Sequence, residues 1–119
     1  MLPYTNLRVW QQAHRTALDS LALAKNHWQP RARPVFNQLL RASLSVQLNI
    51  AEGYAVASKG RKLQLWTTAY GSAIETVNCL ELLTESGLVP REKGEALATQ
   101  ARGCAIGILM LLKAQRARE

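Results

Sequence analysis

Residues 38–53, QLLRASLSVQLNIAEG, constrain the fold more than any other part of the chain. Leu39, Leu40, Ser43, Val46, Ile50 and Gly53 recur at three- and four-residue spacing, while Arg41, Ser45, Asn49 and Glu52 form a second stripe beside them. A segment with this period is a helix, and its two stripes require neighbours of two kinds. The apolar seam needs a core. The polar line, once buried between helices, needs hydrogen-bond partners, because an unpaired buried polar group costs about 1 to 3 kcal/mol.

The same period runs through three further segments. A first helix is expected over 7–28, introduced by Thr5 or Asn6 as N-cap. Its heptad seam would be Leu7, Trp10, His14, Ala17, Leu21, Ala24 and Trp28, with Arg8, Gln11, Arg15 and Lys25 on the other side. A second helix over 35–57 follows Pro34, which suits a first turn. A third over 61–86 carries Leu63, Trp66, Tyr70, Ala73, Ile74, Val77, Leu80 and Leu83 on one side. Gly87 fits a left-handed helix end with Leu88 folding back on Leu83, and Pro90 then opens a fourth helix over 91–116. Lys113, Arg116 and Arg118 fall near the negative end of that helix. Gly53 is either a packing glycine inside the second helix or its terminator. Gly53, Gly71, Gly103 and Gly107 are expected to let helices approach closely.

Four helices of similar length joined by a few residues imply one all-α domain over residues 1–119, an up-down-up-down antiparallel four-helix bundle. Seven Gly and four Pro among 119 residues, with 48% hydrophobic residues, give one respectable core and too few turns for an all-β fold. With helices two and three antiparallel about a turn near Ser58 and Lys59, facing residues have numbers summing to about 117. Arg41 then faces Glu75, Ser45 faces Ser72 and Asn49 faces Thr68. This predicts a polar ladder between the two helices, comprising Arg41, Ser45, Asn49, Glu52, Thr68, Ser72 and Glu75 and closed at one end by an Arg41–Glu75 ion pair.

The formal charge is +7, and residues 1–70 hold nine Lys/Arg against two Asp/Glu whereas residues 71–119 hold six of each. Such an excess points to an anionic partner, nucleic acid or an acidic protein. Candidate contacts are Arg8, Arg15, Arg31, Arg33, Lys59, Arg61 and Lys62, on the first helix or at its loops. The first residues contain no apolar h-region, and the longest apolar run, residues 104–112, is short of the roughly 20 residues a bilayer span needs. With two cysteines as well, a cytoplasmic protein with reduced thiols and no membrane contact is expected.

Chemistry-bearing constellations are sparse. The register sets Glu52 and Glu75 several turns apart, and the Glu-x-x-His pairs of di-iron bundles are missing from the sequence. Cys79 and Cys104 read as small core residues rather than zinc ligands, so no metal, cofactor or catalytic residue is assigned. One alternative is a metal-independent ribonuclease using Arg8 and His14, although six residues along a helix turn the two side chains about 120° apart.

Arg41, Ser43, Ser45 and the run 49–53, NIAEG, followed by Ala69, Gly71, Ser72 and Glu75, resemble the bacterial four-helix-bundle proteins encoded by intervening sequences of 23S rRNA genes. Leu7, Val9, Trp10, Gln11 and Ala13 resemble the N-terminal signature of that family, and the match covers about residues 7–88. Gln47 stands where a proline is frequent, and YAVASKGRK replaces the usual polar linker. The resemblance implies a small non-enzymatic protein assembling into a ring, commonly a homopentamer. The same superfamily includes the accessory variability protein of diversity-generating retroelements, a basic pentamer that binds its reverse transcriptase and nucleic acid. The expected function is therefore an oligomeric basic binding protein engaging nucleic acid or a nucleic-acid enzyme such as a reverse transcriptase, with a protein-interaction scaffold as the alternative. Helix four, apolar around much of its circumference from Cys104 onward, independently implies burial against a further copy.

Overall fold

The computed structural model describes residues 3–118. A short 3-10 turn, Pro3–Asn6, leads into α1 (Arg8–His27), and a second turn, Pro30–Ala32, into α2 (Arg33–Ala55). Then come α3 (Lys59–Glu85) and α4 (Arg91–Arg116), so the described residues form an all-α four-helix fold. Each helix packs on its two neighbours, with α3 joining α2 and α4 along its length and α1 closing the remaining side. The body measures 48 × 26 × 21 Å.

Helix ends follow local chemistry. Pro34 lies in the first turn of α2, as expected, but that helix begins at Arg33 and ends at Ala55, two residues earlier than 35–57 at each end. Ser58 caps α3, its Oγ accepting from the Arg61 backbone N–H, so α3 starts at Lys59 rather than 61. Thr5 and Asn6 do not cap α1, because both lie within the 3-10 turn and Leu7 takes the capping position without a side-chain bond. At the far end of α3 the expected Schellman arrangement is present. Gly87 has φ +80°, its N–H donates to the Thr84 carbonyl, and the Leu88 N–H donates to the Leu83 carbonyl at 3.1 Å.

The core consists of two apolar clusters. Leu23, Phe36, Leu39, Leu80, Leu83 and Leu97 fill one half, and Val9, Val46, Ile50, Trp66, Ile108 and Leu112 the other. Between them lies a cavity of about 10 Å³, the space of a single water, lined by two small or β-branched residues from each helix, among them Thr16, Ser43, Thr76 and Cys104. The three hydroxyls bond back to carbonyls of their own helices, which keeps this small-residue layer satisfied.

The α1 seam is rotated from expectation. Val9, Ala13, Thr16, Ala17, Ser20, Leu23 and Ala24 are buried, whereas Leu21 and Trp28 are 55% and 48% exposed and Trp10 and His14 only half-buried. Small side chains make up much of this contact face, with Val9 and Leu23 the larger residues that enter the core. Ile74 of α3 is likewise exposed.

The polar ladder between α2 and α3 holds at its centre and differs at both ends. Ser45 and Ser72 Oγ atoms lie 2.8 Å apart, on the expected register. Asn49 Nδ2 turns back to Ser45, bonding its carbonyl and hydroxyl, and Thr68 bonds the Gln64 carbonyl instead of Asn49. The Arg41–Glu75 ion pair is not formed. Glu75 accepts from Gln38 Nε2 at 2.7 Å, one turn earlier on α2, while Arg41 stands exposed. A neutral amide on that rim avoids the ordering cost of a long solvated ion pair.

Gly53 is a packing glycine, not a terminator. A Cβ there would meet the Trp66 ring at 2.5 Å, and one at Gly94 would collide with the Thr84 hydroxyl. Gly107 approaches Val9, but Gly71 and Gly103 have open space where a Cβ would be. Gly53→Ala should therefore destabilise the protein by about 1 to 3 kcal/mol through overpacking, while Gly71→Ala should stabilise it by about 0.5 to 1 kcal/mol through helix propensity. Urea denaturation of the two variants checks the opposite signs.

The central rung predicts a second result. Ser45→Ala strands the Ser72 hydroxyl and should cost about 1 kcal/mol, and Ser45→Ala with Ser72→Ala together should cost less than the sum of the two. A double-mutant cycle with additive costs would contradict the shared hydrogen bond.

Candidate nucleic-acid interface

Antiparallel connection brings the start of α1, the end of α2, the start of α3 and the end of α4 to one end of the bundle. Arg8, Lys59, Arg61 and Lys62 meet there, and Lys113, Arg116 and Arg118 join them from the end of α4. Lys59 Nζ donates to the Arg118 carbonyl, and Arg8 lines one groove with Ala114. Glu52 is the single carboxylate at this end among the described residues. The other expected contacts lie elsewhere: Arg15 is midway along α1, and Arg31 and Arg33 are at the opposite end. The contact set read from the sequence is thus split along the bundle, and the residues it missed are the three on the end of α4. Their basic character was visible as a helix-dipole signal, but only the folded topology puts them beside Lys59.

The cations at this end are unequal. Lys62 Nζ donates to the carbonyls of Gly53 (2.8 Å) and Tyr54 (3.3 Å), closing the C-terminus of α2, and lies 5.1 Å from the Trp66 ring and 5.7 Å from the Tyr54 ring. Its charge is largely committed to structure. Arg61 stands 3.9 Å from Glu52, both about half-exposed, a contact weak enough for a stronger anion to replace. Arg8, Lys113 and Arg116 are exposed without an ion-pair partner among the described residues. At the opposite end the sign is mixed: Glu81 pairs with Arg102 at 3.3 Å and Arg91 with Glu95 at 3.5 Å.

The two residues of the ribonuclease alternative face different neighbours. Arg8 lines the groove against α4, whereas His14 stacks on Trp10 at 4.8 Å with an interplanar angle of 10° and keeps Nδ1 buried and unbonded. Burial pushes the Cys104 thiol up to about 12 and raises Cys79 as well, Glu75 adding to the latter, so neither is an activated thiolate. No group of three His, Cys, Asp or Glu converges among the described residues. A cleft of about 330 Å³ between α1 and α4, with Asp19, Asn26, His27, Lys93 and Gln100 on its walls, was not anticipated. Gln100 Nε2 there donates to Thr16 Oγ1 (3.1 Å) and Asp19 Oδ2 (3.3 Å).

Helix α4 needs a correction of its own. Over an 18-residue window its mean hydropathy is 1.3, so by length and composition it could cross a bilayer, despite the short apolar run at 104–112. Its Leu97, Ala101, Cys104, Ile108 and Leu112 are instead buried in the bundle, and Arg102 pairs sideways with Glu81 of α3. Ile106 and Met110, on the outer face, are 61% and 65% exposed, the highest values among the large apolar side chains of the described residues.

A protein of unknown function from the S23 ribosomal protein family of Bacteroides thetaiotaomicron, known from its crystal structure, shares the fold at a TM-score of 0.82 and 23% identity, over 88% of this chain and 98% of that one. No curated protein matches the chain. The model of the 23S rRNA-intervening sequence protein family matches residues 5–107, which include all of α1, α2 and α3 and most of α4. On that match, the chain belongs to the 23S rRNA-intervening sequence protein family.

Proposed function

We propose that this protein is a non-enzymatic, self-associating binding protein whose cationic end engages nucleic-acid phosphates. The observation that carries this reading is the convergence of seven Lys and Arg side chains on one end against, among the described residues, Glu52 alone. Arg8, Lys113 and Arg116 supply exposed charge without an ion-pair partner among the described residues, and Arg61 exchanges Glu52 for phosphate. Contacts of this kind neutralise the backbone without reading bases and release counterions. A nucleic-acid enzyme such as a reverse transcriptase, the partner implied by the family resemblance, would meet the protein on the same substrate.

Electrophoretic mobility shifts across a salt series test the reading. Replacing Arg8, Lys113 and Arg116 by Gln should lower affinity at low salt and reduce the salt slope by about one per lost contact. Arg31→Gln with Arg33→Gln, at the other end, should leave both unchanged. Absence of any shift with DNA or RNA at low salt would refute nucleic-acid binding.

A scaffold role is favoured by a separate observation: Ile106 and Met110 are exposed and, with Leu7, Gly103, Gly107 and Leu111, line an apolar groove of about 530 Å³ between α1 and α4. Covering that patch with a further copy would give self-association, a homopentamer being the form the resemblance implies. Light scattering should give a multiple of 13.2 kDa for the natural chain and a lower mass for Ile106→Glu with Met110→Glu. A monomeric natural chain would contradict self-association.

A further inference from the structure

At the cationic end the 3-10 turn Pro3–Asn6 and the last two turns of α2 enclose an apolar concavity of about 730 Å³, lined by Tyr4, Leu48, Ala51, Glu52, Tyr54 and Ala55 among others. Its size falls within the range of about 300 to 1,000 Å³ that holds small organic ligands. Leu48 is 54% and Tyr54 40% exposed, so neither ring nor aliphatic chain here is consumed by the bundle core. The turn that carries Tyr4 is held in place from two sides. Gln11 Nε2 donates to the Thr5 carbonyl at 2.9 Å, and the Tyr4 ring packs on Trp10 at 5.2 Å. Across the concavity, Tyr54 has the Lys62 ammonium 5.7 Å from its ring centre. Glu52, on the wall, is faced by Arg61.

We infer that this concavity is a base-stacking platform, and that the nucleic acid the cationic end takes is single-stranded. The inference rests on the nucleic-acid reading above and adds to it the strandedness and the residues that receive the bases. Two observations are joined: the exposed Tyr54 ring and the half-buried Tyr4 in an apolar cup, and the cations Lys59 and Arg61 at the adjoining start of α3. A single strand presents phosphates on one side and unstacked bases on the other. Phosphates along the start of α3 would leave the bases free to enter the cup and lie against Tyr54 and Tyr4, with Leu48 beneath them. Stacking on aromatic rings tolerates any base, so little sequence preference follows. Bases of a duplex are already stacked and paired, and they cannot enter without opening. Duplex would therefore use the cations alone.

Fluorescence anisotropy with a labelled mixed-sequence oligonucleotide, single-stranded or annealed to its complement, tests this at one salt concentration. The natural chain should bind the single strand more tightly. Tyr54→Ala should weaken single-strand binding roughly tenfold and Tyr4→Ala in the same direction, with duplex binding within about twofold of the natural chain in both variants. Tyr54→Phe, which keeps the ring and loses the hydroxyl, should retain single-strand affinity, and thermal melts of each variant separate loss of the ring from loss of the fold. Equal affinity for duplex and single strand, or unchanged single-strand affinity with both tyrosines replaced by Ala, overturns the platform while leaving the cationic interface standing. No binding to either form at low salt removes the cationic interface and the platform together.

Discussion

Trp66 reaches from the first turns of α3 onto the last turns of α2, donating Nε1 to the Ile50 carbonyl at 3.2 Å and covering the bare Cα of Gly53. Much of the bundle depends on this contact. The indole takes the volume a side chain at position 53 would need, so the two helices meet at backbone range and their register is fixed within a residue. Once that register is set, Ser45 and Ser72 fall opposite each other, and Lys62, one turn before Trp66, is delivered to the open carbonyls at the end of α2. Glu52 O accepts from the Val56 N–H, while Gly53 and Tyr54 O accept from Lys62, so a short connection closes without leaving that helix end unsatisfied.

Parts of this were legible in the sequence because chain connectivity carried the information. A three-residue connection between α2 and α3 leaves little freedom in pairing, and the sum rule it implies placed Ser45 against Ser72 before any coordinates were needed. Gly87 and Pro90 likewise announce their conformations by covalent chemistry. Helix α1 was misread for the opposite reason. Its ties to the bundle run through longer-range packing, and although Ala17 and Ala24 of the expected seam are buried, its large members Leu21 and Trp28 are exposed and Val9, Ala13, Ser20 and Leu23 enter the core in their place. The failed Arg41–Glu75 pair has a similar origin. Gln38 and Arg41 are only about 60° apart around the helix and about 4.5 Å apart along it, so a small rotation or shift decides which of them meets Glu75.

The cationic end was only half legible for a reason of topology. Basic residues adjacent in sequence across the α1–α2 connection lie far from those across the α2–α3 connection, because alternate connections occupy opposite ends of an up-down bundle. Grouping by the basic excess of residues 1–70 therefore joined Arg31 and Arg33 to Lys59 and Arg61, and left out Lys113, Arg116 and Arg118. Grouping by helix parity would have sorted them correctly. Odd helices contribute their starts and even helices their ends.

That sorting also explains why the residues by which the family is recognised are not the ones that would meet a ligand. Ile50 and Gly53 serve the α2–α3 contact, Asn49 braces Ser45 within α2, and Ser72 and Glu75 are bonded across the contact. Such positions are held by packing and hydrogen bonding whatever the surface does. Exposed side chains that the packing does not hold sit elsewhere, at the ends of the bundle, in the turn before α1 and on the outer face of α4. The NIAEG run ends at the cup, however, where Ala51 and Glu52 line the wall beside the packing glycine Gly53. Gly53 admits Trp66, which positions α3 and hence Lys62; Glu52 holds Arg61 beside the concavity. A motif selected for helix pairing thereby also sets where the cations stand relative to Tyr54, so the architecture of the bundle and the geometry of its cationic end are consequences of one contact.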